Sequence, residues 1–165
     1  MRKKIAIIGT GFFGVTLALT IAKKHQVDIF EKKKTILNGA SKANQMRFHQ
    51  GYHYPRSIKT LKEVKKFNQS FIEYYGKNVL GNTNNYYAIS KKNSKTTYDK
   101  FINFLNQNSL FYKEIQNKDF SNKVSSPIIS EEKNLDYFKI KKKIINKIKI
   151  SKNIKLHLGR ELKKR

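Results

Sequence analysis

The chain opens on a short, wholly apolar run, Ile5-Ala6-Ile7-Ile8, the pattern of a strand at the centre of a parallel sheet with both faces buried. Glycines at 9, 11 and 14 then interrupt it. From Phe13 to Lys24 the apolar residues Val15, Leu17, Ala18, Ile21 and Ala22 recur at helical spacing, and Lys23, Lys24 and His25 fall where the helix dipole is negative. Val27-Asp28-Ile29-Phe30-Glu31 reads as a second strand. Strand, helix and strand within so few residues predict a βαβ unit with a right-handed crossover.

Lys32 to Tyr54 shows no clean period and predicts a long functional connection with a helical turn inside it. Ser57 has the chemistry of an N-cap. Behind it Ile58, Leu61, Val64, Phe67, Phe71, Ile72 and Tyr75 mark a helix that Gly76 ends. Tyr86 to Ser90 predicts a strand, Tyr98, Phe101, Ile102 and Leu105 a second amphipathic helix, and Phe111 to Ile115 and Ser126 to Ile129 further strands. Asp136 is placed to cap a helix carrying Ile140, Ile144 and Ile148, after which Ile154 to Leu158 alternates as a half-buried strand. A βαβ start, a mixed middle and a late return to an α/β pattern predict a fold of the α/β class. Together with the glycines at 9, 11 and 14 this order leads to the expectation of a Rossmann-like FAD/NAD(P)-binding fold, incomplete, with part of an inserted α+β substrate domain. The expected division is residues 1–76 as the nucleotide-binding part with its loop and helix, 77–150 as the partial insertion, and 151–165 as a return strand.

Gly9-Thr10-Gly11-Phe12-Phe13-Gly14, with Glu31 about 20 residues on, is a dinucleotide fingerprint in the required strand–turn–helix context. Gly9 permits the tight turn out of the strand, Gly11 lets backbone approach a pyrophosphate, and Gly14 lets the helix pack close to the sheet. The helix N-terminus offers amides and a positive dipole to phosphates. Glu31 can accept hydrogen bonds from ribose hydroxyls and repels a 2′-phosphate. The motif alone leaves FAD and NAD both open.

A second informative stretch is Gly39-Ala40-Ser41-Lys42-Ala43-Asn44-Gln45-Met46-Arg47-Phe48-His49-Gln50-Gly51-Tyr52-His53-Tyr54-Pro55-Arg56-Ser57. Small and amide-bearing residues come first, then His, Tyr and Arg side chains suited to a substrate. Together with the N-terminal fingerprint and Glu31-Lys32, the Ala-Ser-x-x-Asn and His-x-Gly-Tyr-x-Tyr-Pro patterns resemble the FAD-dependent oxidoreductases of the D-amino-acid oxidase type. The resemblance covers residues 3–57 strongly and the remainder in its order of elements. It implies FAD as cofactor. It sets the backbone of Phe12 and Phe13 beside the pyrophosphate and Glu31 and Lys32 at the adenosine ribose. Ala40, Ser41, Gln45, Met46 and Arg47 would run along the flavin's phosphates, ribityl chain and ring. It makes His49 the candidate catalytic residue, for substrate contact or proton handling. Members of that family run to about twice this length, as expected when a nucleotide domain and a substrate domain share one chain. The expectation is therefore a truncated or split product, inactive alone, with a second polypeptide as possible partner.

Composition narrows the alternatives. The absence of cysteine removes disulfide scaffolds, thiolate metal sites and cysteine nucleophiles. At 38% hydrophobic and 12% aromatic residues the chain can bury a core despite a mean hydropathy of −0.67. The net charge of +25 raises nucleic acid as a partner. Yet the arginines are only Arg2, Arg47, Arg56, Arg160 and Arg165, the rest of the basic residues being lysine. Base readers lean on Arg, so a solvated lysine-rich surface is the preferred reading, with no specific nucleic acid. The same charge should attract anionic small molecules, for which Lys42, Arg47 and Arg56 are candidates. The basic N-terminus is followed by too short an apolar run for a signal peptide, and no stretch suffices for a membrane span, so a cytoplasmic protein is expected. His49 and His53 are four apart, but Gly51 and Pro55 break the helix a metal pair would need. Glu131-Glu132 reads as loop decoration.

The leading expectation is the N-terminal part of a FAD-dependent oxidoreductase that oxidises a C–H beside an amine or hydroxyl, in the amino acid or 2-hydroxy acid class. An NAD-dependent dehydrogenase, a flavin-dependent sugar mutase fragment and a catalytically silent dinucleotide-binding module stay open as alternatives.

Overall fold

A computed structural model describes residues 1–116 and 120–162. The first half contains β1 (Lys4–Ile8), α1 (Phe12–Ile21), β2 (Gln26–Glu31), α2 (Ala40–Ala43), β3 (Arg47–Phe48), α3 (Ile58–Tyr75) and β4 (Asn85–Tyr87). The second half contains α4 (Tyr98–Gln107), β5 (Tyr112–Glu114), β6 (Ile128–Ser130), β7 (Lys133–Asn134), α5 (Tyr137–Ile150) and β8 (Ile154–Leu158). The chain forms two compact units, one of residues 1–46 with the segment from Asp136 onward, the other Arg47–Leu135.

The first unit holds a parallel sheet in the order β1-β2-β8, with Ile7 opposite Ile29 and Ile29 opposite Leu156. One face, carrying Ile5, Ile7, Val27, Ile29, Ile154 and Leu156, packs against Ala18, Ile21 and Ala22 of the α1 segment. Close approach is built into α1: a Cβ on Gly14 would lie 2.2 Å from the Gly9 carbonyl oxygen. Ala18 continues that small-residue face, and Ala22 packs on the same side at the helix end. The helix ends at Ile21, so Lys23, Lys24 and His25 follow its last turn.

Among the described residues β2 lies between β1 and β8. Among the described residues β1 has a partner strand on one side only, and α1 and α5 touch each other over the same face of the sheet. Ala6 and Ile8 on the opposite face are therefore exposed, Ile8 by 61%. That face also carries Asp28 and His157, joined at 2.6 Å, with Phe30 stacked on the His157 ring at 4.6 Å. The hydrogen bond from His157 holds the Asp28 carboxyl below its ordinary range, with help from Lys4 at 3.7 Å.

In the second unit α3 is capped as its sequence predicts: Ser57 Oγ accepts from the Thr60 amide at 3.2 Å, and Gly76 ends the helix at a φ of 80°. An antiparallel sheet in the order β4-β6-β5 and the two-stranded pair β3-β7 complete it. Its core gathers Tyr52, Leu61, Phe101, Leu105 and Ile128.

The division falls after residue 46 and before residue 136, rather than after 76 and 150. Long-range pairing decides this. Arg47 and Phe48 pair with Asn134 and Lys133, and Leu61 of α3 joins the cluster of Phe101 and Ile128, which assigns α3 to the second unit. Helix α5, capped by Asp136 through the Lys139 amide at 3.0 Å, belongs with β8 in the first. The expected return strand is β8; the last three residues of the 151–165 segment lie outside the described residues. Among the described residues no helix is long and apolar enough to cross a membrane.

Candidate functional site

The first constellation lies at the carboxyl ends of the parallel strands, where open α/β sheets bind ligands. Gly9 leaves β1 at a φ of +94°, a conformation that disfavours any side chain. Thr10, fully buried, donates to Glu31 Oε2 through both its amide (2.9 Å) and its hydroxyl (2.6 Å), and the Lys33 amide donates to Oε1 at 2.8 Å. Burial pushes the Glu31 carboxyl up, but these donors outweigh it and the net shift is downward. Glu31 is thus an ionised acceptor clamped to the glycine turn.

Gly11 caps α1 without a side chain, and the Phe12 amide at the helix start donates to Ser41 Oγ at 3.0 Å. A Cβ on Gly11 would point at that same oxygen, 3.7 Å away. The Ser41 hydroxyl thus caps the helix start that a phosphate would approach. A cavity of about 400 Å³ beside it is lined by Gly9, Gly11, Phe30, Glu31, Lys32 and Arg160, among others.

Arg160 is a residue that sequence reasoning missed. Its amide donates to the Glu31 carbonyl at 2.9 Å, and the Gly159 amide to that of Lys33 at 3.1 Å, so the segment after β8 closes the cavity's side. The signal available was its position just beyond a third parallel strand. Thr10 was missed too, hidden between the glycines of the motif.

The other expected cofactor residues divide. Ser41 joins the constellation from α2, with Ala40 at that helix's first position. The Phe13 side chain is 90% exposed, and Gln45 is exposed as well. Met46 has a φ of 50° and donates its amide to Asn44 Oδ1 at 2.9 Å. Gln45 and Met46 do not line the cavity.

Arg47 and His49 fall in the second unit, in a polar cluster of its own. At its centre is Glu132, 1% exposed, which overturns the expectation of loop decoration. Its Oε1 accepts from the Gln50 amide at 2.8 Å and its Oε2 from the Tyr87 hydroxyl at 2.6 Å. His49 Nδ1 lies 3.5 Å from Oε1. Burial pushes the Glu132 carboxyl up, yet His49, Tyr87 and the Gln50 amide bring it below its ordinary value. Burial, with Glu132 beside it, pushes the Tyr87 phenol well up. The Arg47 guanidinium sits 5.2 Å from the Tyr87 ring centroid. The rings of His53 and Tyr54 lie 5.7 Å and 5.9 Å from that of His49. Of the basic candidates Arg47 joins this cluster, while Lys42 and Arg56 are exposed. A signal for Glu132 was present: Ile128, Ser130 and Glu132 alternate inward with period two, all three buried.

A family model described as FAD dependent oxidoreductase matches residues 4–105. The FAD-dependent monooxygenase kojA of Aspergillus flavus is 36% identical over 86 residues, 52% of this chain and 20% of that protein. Among solved structures, glycine oxidase from Geobacillus kaustophilus superposes with a TM-score of 0.66 at 14% identity, over 96% of this chain and 47% of its own. L-proline dehydrogenase from P. horikoshii does so with a TM-score of 0.64 at 20% identity, over 98% and 45%. The expected α/β fold with a parallel βαβ sheet is thus the fold these proteins share. The chain spans about half the length of these solved structures and a fifth of the curated relative.

Proposed function

This chain belongs to the family of FAD-dependent oxidoreductases, and from that premise we propose that its first unit holds the dinucleotide and its second unit handles the substrate. The intact enzyme then oxidises a C–H bond beside an amine or hydroxyl of a small acidic molecule, in the amino acid or 2-hydroxy acid class. The observation that carries the reading is the Thr10–Glu31 clamp, which ties an ionised carboxylate to a glycine turn beside an open cavity.

The residues fit FAD. Gly9 and Gly14 occupy positions where a side chain is strained or collides, and Gly11 leaves the helix start unobstructed by a Cβ, with the Ser41 hydroxyl beside the Phe12 amide. Gly9, Gly11, Gly14 and the backbone of Phe12 and Phe13, with Ser41, would hold the phosphates. Glu31 and Lys32 would hold the ribose, with Arg160 beside them. Ala40, Gln45 and Met46 continue along the flavin in this reading. FAD bound there supplies a two-electron acceptor. The protein's own work is positioning and charge. Arg47 neutralises and orients an acidic substrate group, and His49 receives or holds the proton of the substrate heteroatom.

The reading includes a further partner, either more chain or a second polypeptide. Residues 1–165 leave Ala6 and Ile8 uncovered and one side of β1 without a partner strand among the described residues, although parallel sheets are normally covered on both faces. Expressed alone, they should bind FAD weakly and reduce no dye with pooled amino acids and 2-hydroxy acids. Calorimetric titration with FAD and NAD in turn tests the cofactor: tighter binding of NAD refutes it. Turnover by the isolated 165 residues refutes the need for a partner.

A further inference from the structure

Glu132 sits beside His49 without any role so far in the reaction, and its burial demands one. A fully enclosed carboxylate is costly unless its oxygens are met by donors. Two are in place, the Gln50 amide at 2.8 Å and the Tyr87 hydroxyl at 2.6 Å. The remaining neighbour is the imidazole. His49 Nδ1 is shut off from solvent and makes no hydrogen bond within the described residues that meets ordinary geometry, yet Glu132 Oε1 stands 3.5 Å from it. A lone pair on Nδ1 would face a carboxylate lone pair across that gap, with no water to relieve it. A proton on Nδ1 turns the same contact into attraction.

We propose that Glu132 is the positioning residue of His49: it holds the imidazole as the Nδ1–H tautomer and so leaves Nε2 as the nitrogen with a free lone pair. The arrangement is asymmetric in the way such a task needs. Nδ1 is enclosed while the side chain as a whole is 37% exposed, so the accessible part of the ring lies away from Glu132. Tyr87 donates to the far oxygen of the carboxylate, and the Arg47 guanidinium lies 5.2 Å from the Tyr87 ring centroid. The Gln50 amide, one residue along the chain from His49, locks the carboxylate to the loop that carries the imidazole. Two donors thus hold the carboxylate beside the enclosed ring nitrogen. In the substrate step, Nε2 would take up the proton released from the substrate heteroatom, and the resulting imidazolium would sit against the Glu132 charge.

The inference rests on the reading of His49 as proton acceptor only for its consequence; the tautomer itself is a property of this chain. Its test needs no turnover. The full 165-residue chain, labelled with ¹⁵N in histidine, is recorded by long-range ¹H–¹⁵N correlation over a pH series, and the tautomer is read at the alkaline plateau of the His49 signals. His49 is assigned by its loss in His49→Asn. The expected spectrum shows Nδ1 protonated and Nε2 bare, and the reverse pattern overturns the proposal. Glu132→Gln keeps shape and an acceptor but removes the charge, and charge-assisted hydrogen bonds are roughly twice as strong as neutral ones. The Nδ1–H to Nε2–H ratio should therefore fall by about fivefold. An unchanged ratio in folded Glu132→Gln overturns the proposal, and if that variant does not fold, the wild-type tautomer decides alone. Inactivity of a reconstituted enzyme with the tautomer as expected counts against the proton-acceptor reading and not against the tautomer.

Discussion

Gly14 and Gly11 stand three residues apart in one motif and should fail for different reasons when each becomes Ala. At Gly14 the new Cβ would lie 2.2 Å from the Gly9 carbonyl oxygen and 3.2 Å from its carbon. Carbon–oxygen contacts settle near about 3.3 Å, so backbone must separate by about 1 Å between the turn and α1. Neither side can yield cheaply, because the turn is pinned to Glu31 through Thr10 and α1 is packed on Ile7 and Ile29 through Ala18. Overpacking of this kind costs up to ~3 kcal/mol, against which Ala gains about 1 kcal/mol of helix propensity over Gly, leaving a net loss of about 2 kcal/mol. At Gly11 the backbone has φ −62° and ψ 170°, open to any residue, and the Cβ meets Ser41 Oγ at an ordinary 3.7 Å. Gly11→Ala should cost less than about 1 kcal/mol yet lose at least about tenfold in FAD affinity, because its methyl enters the space beside the Phe12 amide. Urea unfolding followed by circular dichroism suits a protein without tryptophan. With a slope of about 2 kcal/mol/M, Gly14→Ala should lower the midpoint by about 1 M. Flavin fluorescence titration gives the affinities. An unmoved midpoint in Gly14→Ala, or unchanged FAD affinity in Gly11→Ala, would refute the assignment of these glycines to packing and to phosphate approach.

Wild-type protein should bind NADP more weakly than FAD, and Glu31→Gln should improve NADP binding by about tenfold, since a nearby charge at partial exposure is worth about 1–2 kcal/mol; tighter NADP than FAD binding in the wild type sinks this. Stability should fall below about pH 4.5, because Asp28, Glu31, Glu132 and Asp136 all have folded values below their ordinary ones. Each such group stabilises the fold above its unfolded value, and that contribution is lost as pH drops through the folded one. Urea midpoints between pH 7 and pH 3 read it out, with a shallower acid decline expected in Glu132→Gln. Rising stability on acidification would contradict the sign.

What the sequence by itself determined was local. Helix α3 is legible from Ser57 to Gly76 because a cap, a 3.6-residue period and a left-handed stop are encoded within the segment that folds. The glycine turn and Glu31 are legible for the same reason, their roles being set by backbone conformation and spacing. Parallel pairing and the identity of the βαβ unit follow from element order. Tertiary structure alone decided the strand order β1-β2-β8 among the described residues, since an apolar run such as Ile5–Ile8 does not name its neighbours. It also assigned α3 and α5 to opposite units, through contacts between residues as distant as Leu61 and Ile128 and pairing between Arg47 and Asn134. Two-residue strands such as β3 and β7 carry too little pattern to be read before they pair. Glu132 shows the division most sharply. Its inward alternation is written in the chain, but a carboxylate becomes an interior residue only when Gln50, Tyr87 and His49, drawn from distant segments, arrive to compensate its charge.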